Sequence, residues 1–221
     1  MNLKIPNMSV WEYLLECNQN NRCAVAINYY GKRLTFDQLF RQIDKAAKAF
    51  QVIGIKRGSK VTVCMPNTPE GIISFYALNK LGAVANMIHP LSSENEMRDY
   101  VNEVDSHVMV MIDLCLDKAV KQISKTKLEK VIVVSPKNSM NMRMQIGYYL
   151  INHRKIPRMP KKDNRFVQWN DFVKLGSLSG SIKKSEFEQN QPAAFLHSGG
   201  TTGIQKVSCC LMRISTRWQS N

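Results

Sequence analysis

Several common features are missing from this 221-residue sequence, and each absence narrows the class of protein. No apolar run approaches the roughly 20 residues that a membrane-spanning helix needs. The first 16 residues mix polar and apolar side chains, which argues against a signal peptide. No two cysteines have the spacing of a zinc or redox site, so we expect reduced thiols in a cytoplasmic protein. The six scattered cysteines are Cys17, Cys23, Cys64, Cys115, Cys209 and Cys210.

Acidic residues are also scarce, with 17 Asp and Glu against 31 Lys and Arg and a formal net charge of +14. Much of the excess lies in residues 118–137 and 143–162, the latter interleaved with Met and Tyr. A basic protein can bind nucleic acid or anionic lipid. The pattern favours a solvated basic helix and loop and predicts no nucleic-acid partner, while association with RNA or a membrane surface stays as an alternative. The balance of 44% hydrophobic and 22% charged residues is typical of a globular chain.

Two familiar nucleotide-binding motifs are absent as well, G-x-x-x-x-G-K-[ST] and G-x-G-x-x-G. A different loop follows the apolar residues at 193–196. Its glycines let backbone N–H groups approach a polyanion, its hydroxyls can donate to phosphate oxygens, and its lysine adds a positive charge. The predicted phosphate-binding residues are Ser198, Gly199, Gly200, Thr201, Thr202, Gly203 and Lys206.

The hydrophobic periodicity predicts an α/β fold with a mostly parallel, doubly wound sheet. A helix over residues 9–17 and a hairpin over 25–34 come first. Strands predicted at 60–65, 83–88, 107–112 and 130–135 then alternate with helices, and such alternation requires crossover connections. Helix starts are indicated by capping boxes at Thr35 and Ser93 and by a proline at position 69. Residues 136–190 read as a long connection with a helix near 146–151 and a short strand over 166–172, before a strand at 193–196.

The loop resembles the phosphate-binding loop of the AMP-forming adenylating superfamily. That superfamily includes acyl-CoA synthetases, luciferases and the adenylation domains of peptide synthetases. Residues 31–36, 54–70, 76–84 and 89–91 resemble further family segments in the expected order, so the resemblance covers roughly residues 11–206. It implies the incomplete N-terminal part of the large domain of an adenylate-forming enzyme.

The resemblance also implies a two-step reaction for full-length members. A small-molecule carboxylate attacks the α-phosphate of ATP bound with Mg²⁺, and coenzyme A then displaces AMP. The loop would hold the β- and γ-phosphates, with Lys206 as the fixed cation. Gln205 and Val207 depart from the proline and glycine usual at these positions, while His197 and His89 are interpreted as structural.

The last segment, residues 207–221, resembles nothing in the family. Family members place their adenine, ribose, magnesium and acyl contacts and a catalytic lysine after the phosphate loop, so we assign no catalytic residue and no metal ligand here. Shifting the reading frame by one nucleotide after the Lys206 codon allows a family-like continuation. We therefore hypothesise that residues 1–206 are the family domain and 207–221 an out-of-frame tail. The expected product is an inactive, poorly soluble fragment.

Three alternatives stay open. The chain could be a non-catalytic nucleotide- or partner-binding protein. It could be half of a split ligase whose C-terminal half is encoded separately. It could also be the basic RNA- or membrane-associated protein considered above.

Overall fold

The computed structural model describes residues 7–160, 162–178, 180–182, 188, 191–198 and 206–211, with only the backbone described at 178, 198 and 206–211. Within these ranges the strands are Val25–Tyr29 (β1), Lys32–Thr35 (β2), Lys60–Cys64 (β3), Val84–Met87 (β4), Val108–Ile112 (β5), Lys130–Val134 (β6), Phe166–Gln168 (β7), Pro192–Ser198 (β8) and Lys206–Leu211 (β9). The α-helices are Val10–Cys17 (α1), Phe36–Val52 (α2), Pro69–Lys80 (α3), Glu94–Glu103 (α4), Leu116–Gln122 (α5), Met142–Asn152 (α6) and Trp169–Leu178 (α7).

Local sequence signals set most helix starts. The side-chain oxygens of Ser9, Thr35 and Ser93 each accept a hydrogen bond from the backbone N–H of the residue three positions later. The side chain of that later residue accepts a hydrogen bond from the backbone N–H of the cap residue. At α3 the Thr68 hydroxyl accepts from the Gly71 N–H, and Pro69 occupies the first turn. Because these bonds satisfy donors that no helical carbonyl can reach, the helices begin where the sequence predicts.

The central sheet has seven strands in the order β7-β6-β5-β3-β4-β8-β9. The first six are parallel, and β9 pairs antiparallel with β8 at one edge. Helix α2 packs against α3 and α7, while α4 packs against α5, so the helices form two groups. The predicted doubly wound α/β sheet is confirmed. Strands β5 and β6 are almost entirely buried, as expected of central parallel strands covered on both faces.

One part of the prediction for residues 136–190 is wrong. The expected strand over 166–172 ends at Gln168, and the chain continues as helix α7. The helix has its own apolar spacing, because Trp169 and Phe172 are buried three residues apart. Phe172 packs on Phe50 of α2 with ring centroids 4.8 Å apart. Strand β7 has only three residues and runs directly into the helix. Its alternating pattern is therefore too short to distinguish the strand from the helix in the sequence.

The proposed boundary at 206/207 does not coincide with the end of a strand. Strand β9 runs from Lys206 to Leu211, and the preceding strand β8 is longer than the predicted 193–196. Residues 212–221 lie outside the described part of the chain.

Candidate functional site

The predicted phosphate loop begins at the carboxyl end of β8, a strand of the parallel sheet. Ser198 ends β8 and Lys206 starts β9, and these two residues are register partners in the antiparallel hairpin. Because β8 runs parallel to β4, the loop starts at the sheet edge where α/β proteins bind their ligands. The other predicted phosphate contacts, Gly199, Gly200, Thr201, Thr202 and Gly203, lie outside the described residues.

A buried histidine lies directly before the loop. The His197 side chain is 3% exposed, and its ring stacks on Tyr100 of α4 with centroids 3.9 Å apart. The His197 Nε2 lies 2.6 Å from the Asn86 Oδ1 of neighbouring strand β4. These contacts connect the end of β8 to both a helix and a strand, so they fix the position from which the loop starts.

The hydrogen bonds of Asn86 determine which tautomer His197 adopts. The Asn86 amide nitrogen donates to the Thr62 hydroxyl and to the Tyr100 carbonyl oxygen, at 3.1 and 3.2 Å. Its Oδ1 is therefore the acceptor, and His197 carries its proton on Nε2. The other ring nitrogen, Nδ1, is buried and has no hydrogen-bond partner among the described residues.

The His197 imidazole is held neutral by its surroundings. Burial lowers its pKa, because an imidazolium loses its hydration, and the carboxylate of Glu103, 3.8 Å from Nδ1, opposes the shift. Burial is the larger effect. The group that supports the loop is thus a neutral hydrogen-bond donor, and sequence reasoning identified it only as a histidine that ends a strand.

Two thiols that are distant in sequence meet at the same edge of the sheet. Cys64 ends β3, and Cys115 follows β5 in a 3₁₀ turn. Interaction with the Cys64 thiol lowers the pKa of Cys115 to about 7, with Lys118 adding to the effect. The Cys115 Sγ and the Lys118 Nζ both contact the Pro90 carbonyl oxygen, at 3.3 and 3.0 Å. Sequence spacing gave no sign of this pair.

A wide groove lies at the carboxyl ends of β5, β6 and β7. These strands are at the opposite end of the strand order from β8, where the loop starts. The groove has a volume of about 590 Å³ and is lined in part by Asp113, Lys137 and Arg158. The Tyr148 hydroxyl donates to Asp113 at 3.3 Å, and burial raises the pKa of this carboxyl group. Since β3, β4 and β5 separate β8 from β6, this groove is not part of the phosphate loop.

The described residues hold neither a metal-binding cluster nor a membrane-spanning helix. They contain no group of three or more His, Cys, Asp or Glu side chains placed to hold a metal ion. Among the helices within the described ranges, none is both long and apolar enough to cross a membrane.

The parallel sheet and the loop at its carboxyl edge define a class of nucleotide-binding α/β proteins, and comparison with known proteins narrows that class. The family model described as "AMP-binding enzyme" matches residues 15–208. The chain therefore belongs to the AMP-binding enzyme family.

Its curated relatives are CoA ligases and synthetases. The long-chain-fatty-acid–CoA ligase of Bacillus subtilis is 24% identical over 213 residues, which cover 92% of this chain and 36% of the relative. The 3-hydroxypropionyl-coenzyme A synthetase of Sulfurisphaera tokodaii is 26% identical over 79% of this chain and 25% of its own length. Acetyl-coenzyme A synthetase 1 of Candida albicans is 25% identical over 80% and 25%, respectively.

A solved structure shows the same fold. The anthranilate CoA ligase AuaEII, in complex with anthranoyl-AMP, superposes with a TM-score of 0.76 at 16% identity, covering 94% of this chain and 36% of the ligase. The chain thus spans between a quarter and just over a third of the length of the proteins it matches.

Proposed function

We propose that this chain is the N-terminal part of an ATP-dependent, AMP-forming acyl-CoA synthetase, and that its loop over residues 198–206 binds the β- and γ-phosphates of ATP. The observation that carries the proposal is the position of β8. This strand runs parallel to β4, so the loop that starts at Ser198 begins at the carboxyl edge of the sheet, directly after the buried His197. Ligands of α/β proteins bind at this edge, and the glycines of the loop would let its backbone N–H groups converge on one phosphate.

The proposed role of the loop is electrostatic. Full-length enzymes of this kind join a carboxylate to the α-phosphate of ATP with Mg²⁺ and then transfer the acyl group to coenzyme A. Charge accumulates on the departing pyrophosphate, so fixed donors around it stabilise the transition state. In this chain the hydroxyls of Ser198, Thr201 and Thr202, the loop N–H groups and the Lys206 ammonium would supply those donors. His197 would not touch the nucleotide; it would position the loop.

The chain alone is proposed to bind phosphate without completing the reaction. The groups proposed for the loop neutralise charge, but neither a ligand set for magnesium nor a catalytic lysine is assigned to residues 1–206. Residues 207–221 are proposed to be out-of-frame translation. The nucleotide sequence from the Ala193 codon onward decides this: a neighbouring frame without family-like sequence would refute the idea.

Binding of inorganic pyrophosphate to the 221-residue chain tests the proposed site. We expect pyrophosphate at ten times its dissociation constant to raise the free energy of unfolding by about 1.4 kcal/mol, measured by thermal denaturation. Lys206→Ala should weaken binding about tenfold, because it removes the fixed cation from a site that binds a polyanion. Lys174→Ala is the matched control, since it removes the same charge from an exposed pair with Asp171.

If the two substitutions weaken pyrophosphate binding equally, binding depends only on the net charge of the protein, and the proposed site is wrong. The same preparations should show no carboxylate-dependent ATP–pyrophosphate exchange. Exchange above background would contradict the proposal that the chain alone is inactive. If a separately encoded C-terminal half exists, mixing it with this chain should restore exchange.

A further inference from the structure

Helix α6 presents an apolar face to solvent. Met142, Ile146 and Leu150 follow one another at four-residue spacing, so they form a stripe along one side of the helix. Their exposed fractions are 79%, 59% and 65%. Tyr149, beside this stripe, and Ile151, on another side of the helix, are also more than half exposed. None of the residues of α6 is buried.

The side-chain hydrogen bond that joins α6 to the central sheet is a polar contact through Tyr148. Tyr148 donates to the Asp113 carboxylate, and the Gln145 side chain donates to the Met140 carbonyl oxygen. Asn152 donates to the Tyr148 carbonyl oxygen at 3.1 Å. A surface helix of a globular protein normally buries its apolar stripe and exposes its polar residues. In α6 the apolar residues Met142, Ile146 and Leu150 stay exposed instead, and an exposed apolar patch of this kind indicates a partner.

The charge around α6 indicates the chemistry of that partner. Between Glu129 and Asp163 the sequence contains no acidic residue. The same stretch carries eight lysines and arginines: Lys130, Lys137, Arg143, Arg154, Lys155, Arg158, Lys161 and Lys162. The segment therefore attracts an anionic surface and repels a basic one.

We propose that α6 is an interfacial helix that lies flat on an anionic lipid membrane, with Met142, Ile146 and Leu150 inserted at the boundary between headgroups and acyl chains. At 11 residues the helix is too short to span a bilayer, so a membrane-bound α6 would lie in the interface plane. Arg143 within the helix, and Arg154 and Lys155 just after it, contact lipid phosphates. The proposal does not depend on the proposed enzymatic function.

A membrane explains the aliphatic stripe better than a nucleic acid does. Single-stranded RNA is bound by cations together with aromatic rings on which bases stack. The central residues of the α6 stripe are methionine, isoleucine and leucine, which gain free energy from hydrocarbon but have no ring for stacking. Both observations, the aliphatic stripe and the lack of acidic residues, are accounted for by an anionic bilayer.

Vesicle flotation with the 221-residue chain tests the proposal. We expect binding to vesicles of mixed phosphatidylcholine and phosphatidylserine, and at least about tenfold weaker partitioning after Ile146→Glu with Leu150→Glu. Leu91→Glu is the matched control and should leave partitioning unchanged, since Leu91 is 84% exposed in the loop after β4. Arg154→Ala with Lys155→Ala should weaken partitioning about thirtyfold on these vesicles and much less on pure phosphatidylcholine.

A second measurement keeps the test decisive if the glutamate variants fail to fold. Ile146→Trp should show blue-shifted fluorescence on the vesicles and quenching by brominated acyl chains. Failure to bind phosphatidylserine vesicles, or binding that Ile146→Glu with Leu150→Glu does not weaken, would overturn the proposal. A dimer of the chain in sedimentation, which Ile146→Glu with Leu150→Glu converts to a monomer, would also overturn the proposal, because the stripe would then bind a second copy. Salt-sensitive RNA retention that needs the stripe, without vesicle binding, would favour RNA instead.

Discussion

At the scale of single residues, the contact that fixes the start of the predicted phosphate loop depends on the tautomer of His197, which is neutral and protonated on Nε2. The Nε2–H donates to Asn86, while the buried Nδ1 accepts from nothing described. A second proton would place a charge in a buried site where, among the described residues, the nearby compensation is the half-exposed Glu103. The neutral form therefore stabilises the fold, and the charged form does not.

This arrangement predicts a pH dependence of stability. The folded pKa of His197 is lowered, so its contribution is fully present above the pKa of the unfolded chain, near 6.5, and is lost as the pH falls from there through the folded pKa. Denaturant melts between pH 8 and about pH 5 should show the free energy of unfolding decreasing toward acid, and His197→Gln should flatten that slope. The exposed His153, replaced in the same way, serves as control. Identical slopes in all three proteins would show that another group is responsible.

The Cys64–Cys115 pair predicts an acidic thiol. Ultraviolet absorbance of the thiolate should rise with an apparent pKa of about 7 and should lose that step in Cys115→Ser. Cys64→Ala should move the step to higher pH, because it removes the thiol that donates to the Cys115 thiolate. Cys17→Ser, at an exposed cysteine of α1, should leave the step in place. A step that survives Cys115→Ser would assign the low pKa to another cysteine.

At the scale of elements, the position of α7 depends on close approach to α2. A methyl group on Gly176 would collide with the backbone of α2 at Lys45 and Ala49. Backbone cannot move aside as a flexible side chain can, so the glycine sets the distance between the two helices. Phe172, one turn earlier, fills the space against Phe50.

Alanine substitutions at two helical glycines should therefore change the free energy of unfolding in opposite directions. Gly176→Ala should lower the free energy of unfolding by at least about 2 kcal/mol, since overpacking forces α7 away from α2. Gly147→Ala in α6 should raise it by up to about 1 kcal/mol, because nothing lies within 4 Å of the added methyl and alanine favours the helix. Chemical denaturation of both variants measures the difference. Similar values would mean that α7 does not pack on α2 as described.

At the scale of the whole molecule, the chain order separates residues that the fold brings together. After β4 the chain crosses to β5, β6 and β7 on one side and returns through α7 to place β8 beside β4. His197 and Asn86 meet in this way across 111 positions of sequence. The +14 charge is likewise uneven, since the stretch without acidic residues surrounds the exposed stripe of α6.

Signals carried by a few neighbouring residues could be predicted. The capping boxes at Thr35 and Ser93 and the buried strands could be predicted because a helix cap or a strand depends on contacts within a few positions, whereas the capping box at Ser9 was found only in the structure. Helix α7 could not be predicted, because its apolar spacing followed a strand too short to show its own period. The predicted phosphate contacts at 199–203 stay predictions, since they lie outside the described residues.

The sequence by itself determined the class of fold, the helix starts and the place of the phosphate loop after a strand. Local hydrogen bonding and hydrophobic periodicity are encoded within short windows, so no tertiary information was needed. Only the tertiary structure decided that His197 contacts Asn86 directly before the loop, that Cys64 lies beside Cys115, and that Met142, Ile146 and Leu150 of α6 stay exposed. Each of these depends on which distant strands and helices become neighbours, and that choice is made by burial of the whole core.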